Sequence, residues 1–159
     1  MIKDKFVVYS LWFVVIKTNI TVCAYLRFMA TIQRFEDSEI WQKARILSQK
    51  TYPLTFTQPI KEDFRYKDQI RGSVASIMDN IAEGFERGSK LEFVNSLTIS
   101  KGEVGEYKSQ LYRGLENQYL SEQLFAELFN LADEFTKMIT SFVSYLNKTA
   151  IKGQKFKNR

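Results

Sequence analysis

The sequence predicts an all-α protein, an antiparallel up-and-down four-helix bundle. Apolar residues recur at steps of 3 and 4 along three long stretches, which is the spacing of helices that bury one face. The 159 residues contain only two prolines, Pro53 and Pro59, so long helices are permitted on both sides of them. The run from Asn80 to Phe93 ends one helix, turns on glycine and opens the next, as in an antiparallel helical hairpin.

The first helix is predicted to begin near Asp37 or Ser38, because either side chain can cap it. Its apolar positions are Ile40, Trp41, Ala44, Leu47 and Thr51. Pro53 ends or kinks this helix, since proline lacks the backbone N–H that a helix interior needs. Residues 53–62 then form an extended connection, which ends in acidic residues that suit the positive end of the next helix.

Three longer helices follow. We predict the second from about Asp63 to Phe85 and the third from Lys90 to about Asn117, and Ser121 caps the fourth. Their predicted core positions are Ile70, Val74, Ile77, Ile81 and Phe85, with Ala75, Met78 and Ala82 beside them; Phe93, Leu97, Ser100, Val104, Tyr107, Leu111 and Leu115; and Leu124, Leu128, Leu131, Phe135, Met138, Phe142 and Tyr145. Steps near 3.5 residues are those of a left-handed bundle.

Local signals at the third helix are more specific. Ser89 and Glu92 form a predicted capping box, in which each side chain accepts from the other residue's backbone N–H. Gly102, Gly105 and Gly114 each cost about 1 kcal/mol relative to alanine inside a helix. These glycines indicate either close approach of another backbone or local weakness without function.

The fourth helix carries a second apolar row beside its core positions. The row comprises Phe125, Phe129, Ala132, Ile139, Val143 and Leu146. It is wider than one helix pair needs to bury, so part of this surface is predicted to be an oligomer interface. Phe125, Phe129 and Val143 are the predicted interface residues.

Composition excludes most catalytic sites. The chain has no histidine and a single cysteine, Cys23, which removes His-dependent nucleophile arrangements and Cys/His zinc sites. A lone cysteine agrees with a reducing, cytoplasmic compartment. We predict no enzymatic activity, cofactor or metal. A carboxylate metal site of Glu83, Glu103 and Glu106 is the remaining enzymatic alternative, and ion pairing is the favoured role for these glutamates because Arg87 follows Glu83 by four residues.

The net charge of +5 is unevenly distributed. Residues 29–71 hold eight basic and six acidic side chains, whereas residues 72–147 hold six and eleven. Any basic face is therefore predicted on the first half of the bundle, together with the C-terminal tail. The predicted phosphate contacts are Lys43, Arg45, Lys50, Arg65, Lys67 and Arg71 in the bundle and Lys152, Lys155, Lys157 and Arg159 in the tail.

The predicted organisation is an apolar extension at 1–28, the bundle at 29–148 and a basic tail at 149–159. Residues 6–16 are apolar except Ser10, and this stretch is too short to span a bilayer as a helix. No membrane role is predicted for the bundle. Three interpretations of the extension stay open: Met29 is the true start, the segment is a signal or membrane attachment with cleavage after Ala24, or it is an ordered structural extension.

Five motifs carry a resemblance to a known family, in the family's order and spacing. They are Phe35 to Ala44, Gln69 to Arg71, Asn80 to Phe85, Ser89 to Phe93 and Gln118 to Ser121. Through them, residues 33–146 resemble the bacterial four-helix-bundle proteins encoded in intervening sequences of 23S ribosomal RNA genes. The chain departs from that pattern at Pro53, Glu103 and Gly105.

The resemblance implies an antiparallel four-helix bundle that assembles as a ring-like homopentamer, with no established enzymatic activity and a proposed role in binding nucleic acid. Related accessory proteins of diversity-generating retroelements bind a reverse transcriptase and its RNA, which also implies a partner protein. We therefore predict a non-enzymatic oligomeric module that binds RNA or DNA through basic residues. The alternative is a protein-interaction scaffold or accessory subunit without direct nucleic-acid binding, whose interactions would not weaken with salt.

Overall fold

The computed structural model describes residues 32–148. The described residues from Phe35 onwards belong to one compact unit, and the predictions for 1–28 and 149–159 lie outside the described residues. The described part of this unit contains helices α1 (Glu39–Thr51), α2 (Phe64–Glu86), α3 (Lys90–Glu116) and α4 (Glu122–Lys148). Two 3₁₀ segments, Phe35–Asp37 and Tyr52–Phe56, lie on either side of α1.

The four helices pack in cyclic order, α1 on α2, α2 on α3, α3 on α4 and α4 back on α1. Short connections join the last three helices, so consecutive helices run antiparallel. Gly88 in the α2–α3 turn has a φ of 70°, a conformation that favours glycine. The predicted all-α fold, an antiparallel up-and-down four-helix bundle, is confirmed.

The segment after α1 differs from the prediction. Residues 52–56 form a 3₁₀ helix with Pro53 in its first turn, and turns continue up to residue 62. Proline fits such a first turn because its missing N–H would have no helical partner there. The predicted extended connection is therefore wrong, and a compact segment packs against α2 instead.

The core of α4 also differs from the prediction. Its buried positions are Leu128, Ala132, Phe135, Ile139 and Phe142, which combine members of both predicted rows. The helix packs against α3 on one side and α1 on the other. The residues buried most deeply are therefore those where the two predicted rows adjoin. In α2, likewise, Ala75 is exposed, whereas Tyr66, Ser73 and Gly84 are buried.

The predicted capping box does not form. Ser89 occupies the N-cap position of α3 but makes no side-chain cap hydrogen bond. The Glu92 carboxylate instead accepts from Arg87 Nη1 at 2.6 Å, while Arg87 Nη2 donates to Glu83. A charge-assisted bond to guanidinium is stronger than one to a neutral backbone N–H, so Arg87 displaces the backbone donor.

Glycines mark two close approaches within the bundle. A Cβ added at Gly84 would lie 2.4 Å from Ser96 Cβ, and one at Gly114 would lie 2.3 Å from the Tyr66 hydroxyl oxygen. The neighbours of Gly114 are the side chains of Tyr66 and Leu120 rather than the predicted second backbone, and the sequence prediction missed Gly84. Gly102 and Gly105 are exposed, and an added Cβ would meet nothing within 4 Å there.

A hydrogen-bond relay crosses the core between α1 and α3. Thr51 Oγ1 donates to the Leu47 carbonyl at 2.8 Å and lies 2.7 Å from the Tyr107 hydroxyl. Because the Thr51 proton is used on Leu47, Tyr107 donates to Thr51. Both side chains are fully buried, so neither hydroxyl can exchange its partner for water.

We expect Thr51→Val to lower the free energy of unfolding by about 1–3 kcal/mol, because it leaves the buried Tyr107 hydroxyl without an acceptor. Tyr107→Phe should cost about 1 kcal/mol, and the double variant should cost less than the sum of the two. Thr98→Val is the matched control: Thr98 makes the same i−4 bond at 2.9 Å but is exposed. Urea denaturation measures all four variants, and additive costs would contradict the relay.

Candidate nucleic-acid interface

Exposed aromatic rings and basic side chains meet where the second 3₁₀ segment packs against the start of α2. We call this surface the cation–aromatic face, and it consists of Tyr52, Phe56, Phe64, Lys67 and Arg71. The three rings remain 46%, 57% and 70% exposed in that order. Large aromatic side chains left this open are typical of surfaces that bind another molecule.

Arg71 occupies the centre of this face. Its guanidinium carbon lies 4.5 Å from the centroid of the Tyr52 ring and 4.7 Å from that of Phe56. Its Nε donates to Thr55 Oγ1 at 2.7 Å, and Thr55 in turn donates to the Tyr52 carbonyl. The two rings meet edge to face at 5.3 Å, so Arg71 is held in a defined orientation.

Phe64 and Lys67 extend the face along α2. Lys67 Nζ lies 4.2 Å from the centroid of the Phe64 ring and donates to the Lys61 carbonyl at 3.4 Å. Phe64, Lys67 and Arg71 are spaced by three and four residues, which places them on one side of the helix. Arg71 lies two turns beyond Phe64, roughly 10 Å along the helix axis.

The cations of the cation–aromatic face are not engaged in ion pairs in the described part of the chain. Within residues 32–148, neither Lys67 nor Arg71 makes an ion pair with a carboxylate. The nearby Asp63 caps α2 by accepting from the Tyr66 backbone N–H at 2.9 Å, and this bond lowers the pKa of Asp63. Asp68 is an exposed acid on the same helix, next to Lys67 in sequence.

The other predicted phosphate contacts lie elsewhere. Lys43 is ion-paired with Glu134 at 3.0 Å and Lys50 with Glu127 at 2.5 Å. Both pairs join α1 to α4, which gives the two lysines a structural role. The tail residues Lys152, Lys155, Lys157 and Arg159 lie outside the described part of the chain.

Arg65 and Arg45 are exposed, and the cations that lie over the rings of the face are Lys67 and Arg71 instead. Arg65 precedes Arg71 by six residues, which places it roughly 120° away around α2. Arg45 is exposed on α1, and neither arginine forms an ion pair in the described range. The structure therefore brings together Lys67 and Arg71, with three aromatic residues that the sequence prediction missed.

A second aromatic surface lies between α3 and α4. This aromatic cluster consists of Tyr112, Phe125 and Phe129, whose ring centroids are 5.1 to 5.4 Å apart. Tyr112 is 50% exposed, and the two phenylalanines are half-buried. Val143, the third predicted interface residue, lies fourteen residues beyond Phe129 and thus roughly 21 Å along α4, so it does not join this cluster.

Charged groups border the aromatic cluster. Lys108 Nζ lies 5.2 Å from the Phe129 ring centroid and donates to Asp133 at 2.8 Å. Lys137 binds the other carboxylate oxygen of Asp133 at 2.8 Å. Hydrogen bonds from Lys108 and then Lys137 lower the pKa of Asp133 to about 2. This carboxylate therefore stays ionised and holds Lys108 beside the rings.

The three glutamates considered for a metal site do not come together as one. Glu83 is paired with Arg87, as predicted. The predicted ion pairing is wrong for Glu103 and Glu106, which make no such pair within residues 32–148. Burial, and then repulsion from Glu106, raises the pKa of Glu103. In the same range, no three acidic or cysteine side chains are grouped to hold a metal ion.

No helix in the described range is long and apolar enough to cross a bilayer.

Comparison with known proteins identifies the family. No curated protein matches the chain. A similar solved structure is the crystal structure of a protein with unknown function from the S23 ribosomal protein family of Bacteroides thetaiotaomicron. It shares 23% sequence identity and a TM-score of 0.60, over 69% of this chain and 99% of that one. The family model for the 23S rRNA-intervening sequence protein matches residues 36–141, well over half of the chain. This chain therefore belongs to the 23S rRNA-intervening sequence protein family.

Proposed function

We propose that this protein is a non-enzymatic, homo-oligomeric module that binds RNA or DNA in the cytoplasm. The observation that carries the proposal is the cation–aromatic face, where Lys67 and Arg71 rest on exposed rings instead of pairing with carboxylates. A cation already committed to a carboxylate must give up that partner to bind a phosphate. The cations of this face can bind phosphate without that cost.

Arg71 supports phosphate binding for a further reason. Its Nε is used on Thr55, which leaves the two terminal nitrogens directed away from that bond. Guanidinium binds phosphate oxygens with parallel N–H donors. A guanidinium that is already oriented loses less side-chain freedom when it binds.

The oligomer is proposed from the aromatic cluster and the outer side of α3. Gly102, Gly105, Ser109 and Tyr112 follow one another at steps of three and four residues, and all are exposed. Nothing within the described bundle explains the two glycines, because an added Cβ would meet no atom within 4 Å. A second copy packed here would use their small size and cover the exposed rings. The ring-like pentamer implied by the family resemblance is the proposed assembly.

Oligomerisation would strengthen nucleic-acid binding without new contacts. Several copies of the face and of the basic tail would be presented on one particle, so a strand held by one copy meets the next at high effective concentration. The tail, with Lys152, Lys155, Lys157 and Arg159, contributes sequence-independent attraction in this proposal.

The test is the double variant Lys67→Gln/Arg71→Gln. We expect it to weaken binding to unrelated RNA and DNA sequences alike, by about 10-fold or more at low salt. The slope of log affinity against log salt concentration should also become shallower by about 0.7 to 0.9 per lost contact. Fluorescence anisotropy with labelled oligonucleotides between 50 and 200 mM salt, roughly the range over which such contacts are most evident, gives both quantities.

Lys101→Gln/Arg113→Gln is the matched control, because it removes one lysine and one arginine from α3 that, like Lys67 and Arg71, form no ion pair with a carboxylate within residues 32–148. If both double variants weaken nucleic-acid binding equally, the loss of affinity reflects net charge alone, which would contradict binding at the cation–aromatic face. If neither variant nor deletion of residues 149–159 changes binding, the scaffold alternative is favoured instead.

A further inference from the structure

We infer that the cation–aromatic face binds single-stranded rather than duplex nucleic acid, by stacking bases on Phe64 and on the Tyr52–Phe56 pair. This inference rests on the proposed function and specifies its ligand. Its first observation is the exposed aromatic rings, which phosphate binding by Lys67 and Arg71 does not require. A purely phosphate-binding surface requires cations, whereas this one also leaves three large aromatic side chains mostly or half exposed.

A cation lies over each of the three rings. Lys67 covers one side of Phe64, and Arg71 covers one side of Tyr52 and of Phe56. Because Phe64 is 70% exposed, the side opposite Lys67 is open to solvent. A base stacked there would leave Lys67 on the other side of the ring, available to a phosphate of the same strand, so one strand can use both the ring and the cation.

Packing within the protein does not account for the exposure of Phe64. The aromatic pairs of the described chain include Tyr52 with Phe56, but none includes Phe64. Burying such a ring would be favourable by itself, and a polar residue at this helix start would cost little. The position of the exposed ring next to unpaired cations fits a ligand that has planar bases and negative charge.

The geometry favours a single strand over a duplex. Phe64 and Arg71 are separated by roughly 10 Å along α2, a distance that one short stretch of an extended strand can span. In a duplex the base faces are stacked on each other and only their edges reach the grooves. Aromatic rings on a protein surface can therefore stack only on bases that are already unpaired.

The experiment compares three probes on the full chain: a labelled single-stranded RNA, the same length of abasic strand, and a duplex. Phe64→Ala should weaken single-strand binding by about 5- to 150-fold, the range for one lost stacking contact. Abasic and duplex binding should stay unchanged, and so should the salt slope, because no cation is removed. Phe64→Trp should restore single-strand binding.

Leu91→Ala is the matched control, since Leu91 is 69% exposed but is not aromatic and lies on α3. If Phe64→Ala leaves single-strand affinity unchanged while Lys67→Gln/Arg71→Gln lowers it, the stacking inference fails and nucleic-acid binding stands. If the wild type binds abasic and normal strands equally, stacking also fails. If no probe binds at low salt, both the inference and the proposed function are overturned.

Discussion

Replacing Gly84 by alanine is expected to lower the free energy of unfolding by about 1–3 kcal/mol, although alanine is the better helix former by about 1 kcal/mol. The added Cβ would lie 2.4 Å from Ser96 Cβ and 2.6 Å from Ser96 Oγ. Ser96 Cβ is bonded directly to the α3 backbone, so no rotation of that side chain can relieve the overlap. Instead α2 and α3 must move apart along their interface.

The same substitution at Gly72 serves as the control. Gly72 is exposed on α2, and an added Cβ meets nothing within 4 Å there, so Gly72→Ala should raise the free energy of unfolding by up to about 1 kcal/mol. Urea denaturation compares the two variants at the same protein concentration, so that any contribution from assembly is measured under the same conditions for both. A stabilising effect at Gly84 would show that the two helices do not approach this closely.

Glutamate at both Phe125 and Phe129 is expected to convert the proposed homo-oligomer to monomers while the helices remain formed. The two rings stack at 5.4 Å and are half-buried within one chain. Replacing them should therefore destabilise the bundle less than it destabilises an interface in which both rings would be fully buried. Charges repeated in every copy would repel across a symmetric contact. Light scattering measures the mass and circular dichroism the helix content.

Ile46→Glu is the control for this change. Ile46 is an apolar residue on α1 with 39% exposure, outside the aromatic cluster. The Ile46→Glu substitution should leave the mass of the proposed oligomer unchanged. A monomeric wild type, or a Phe125→Glu/Phe129→Glu variant with the mass of the wild-type oligomer, would show that the aromatic cluster does not form an interface between copies.

The helices were predictable because periodicity and turn chemistry are local. The core residues of α3 were predicted from spacing alone, and five of the seven are buried. Ser121 was also predicted correctly as a cap, since its Oγ accepts from the Leu124 N–H at 3.2 Å. These signals depend on residues close together in sequence, which is why no knowledge of the partner helices was needed.

The buried side of α4 was harder to predict because two apolar rows on one helix have the same period. Which row is buried depends on where α1 and α3 lie, and spacing within α4 contains no such information. The capping box failed for a related reason. Arg87 competes for Glu92 from the preceding turn, and the motif alone does not include that competitor.

The cation–aromatic face could be predicted only in part. Lys67 and Arg71 were identified as basic residues on the first half of the bundle, but Tyr52 and Phe56 reach Arg71 from a segment at least fifteen residues earlier. Periodicity does not reveal such a contact. The available signal was the presence of aromatic residues outside the helical core spacing, beside basic residues at the start of α2.

Because of the position of Arg71, ligand binding at the cation–aromatic face would be coupled to the packing of the α1–α2 connection. Through the Thr55 hydroxyl and two rings, this one guanidinium fastens the segment after α1 onto α2. A phosphate held by its terminal nitrogens would bind the fastened state more tightly than the detached one, because the guanidinium is already oriented there. By mass action, the ligand then stabilises the junction in proportion to its concentration. If the face binds phosphate as proposed, the 3₁₀ segment that carries Tyr52 and Phe56 would be held more firmly on α2 in the bound state than in the free state.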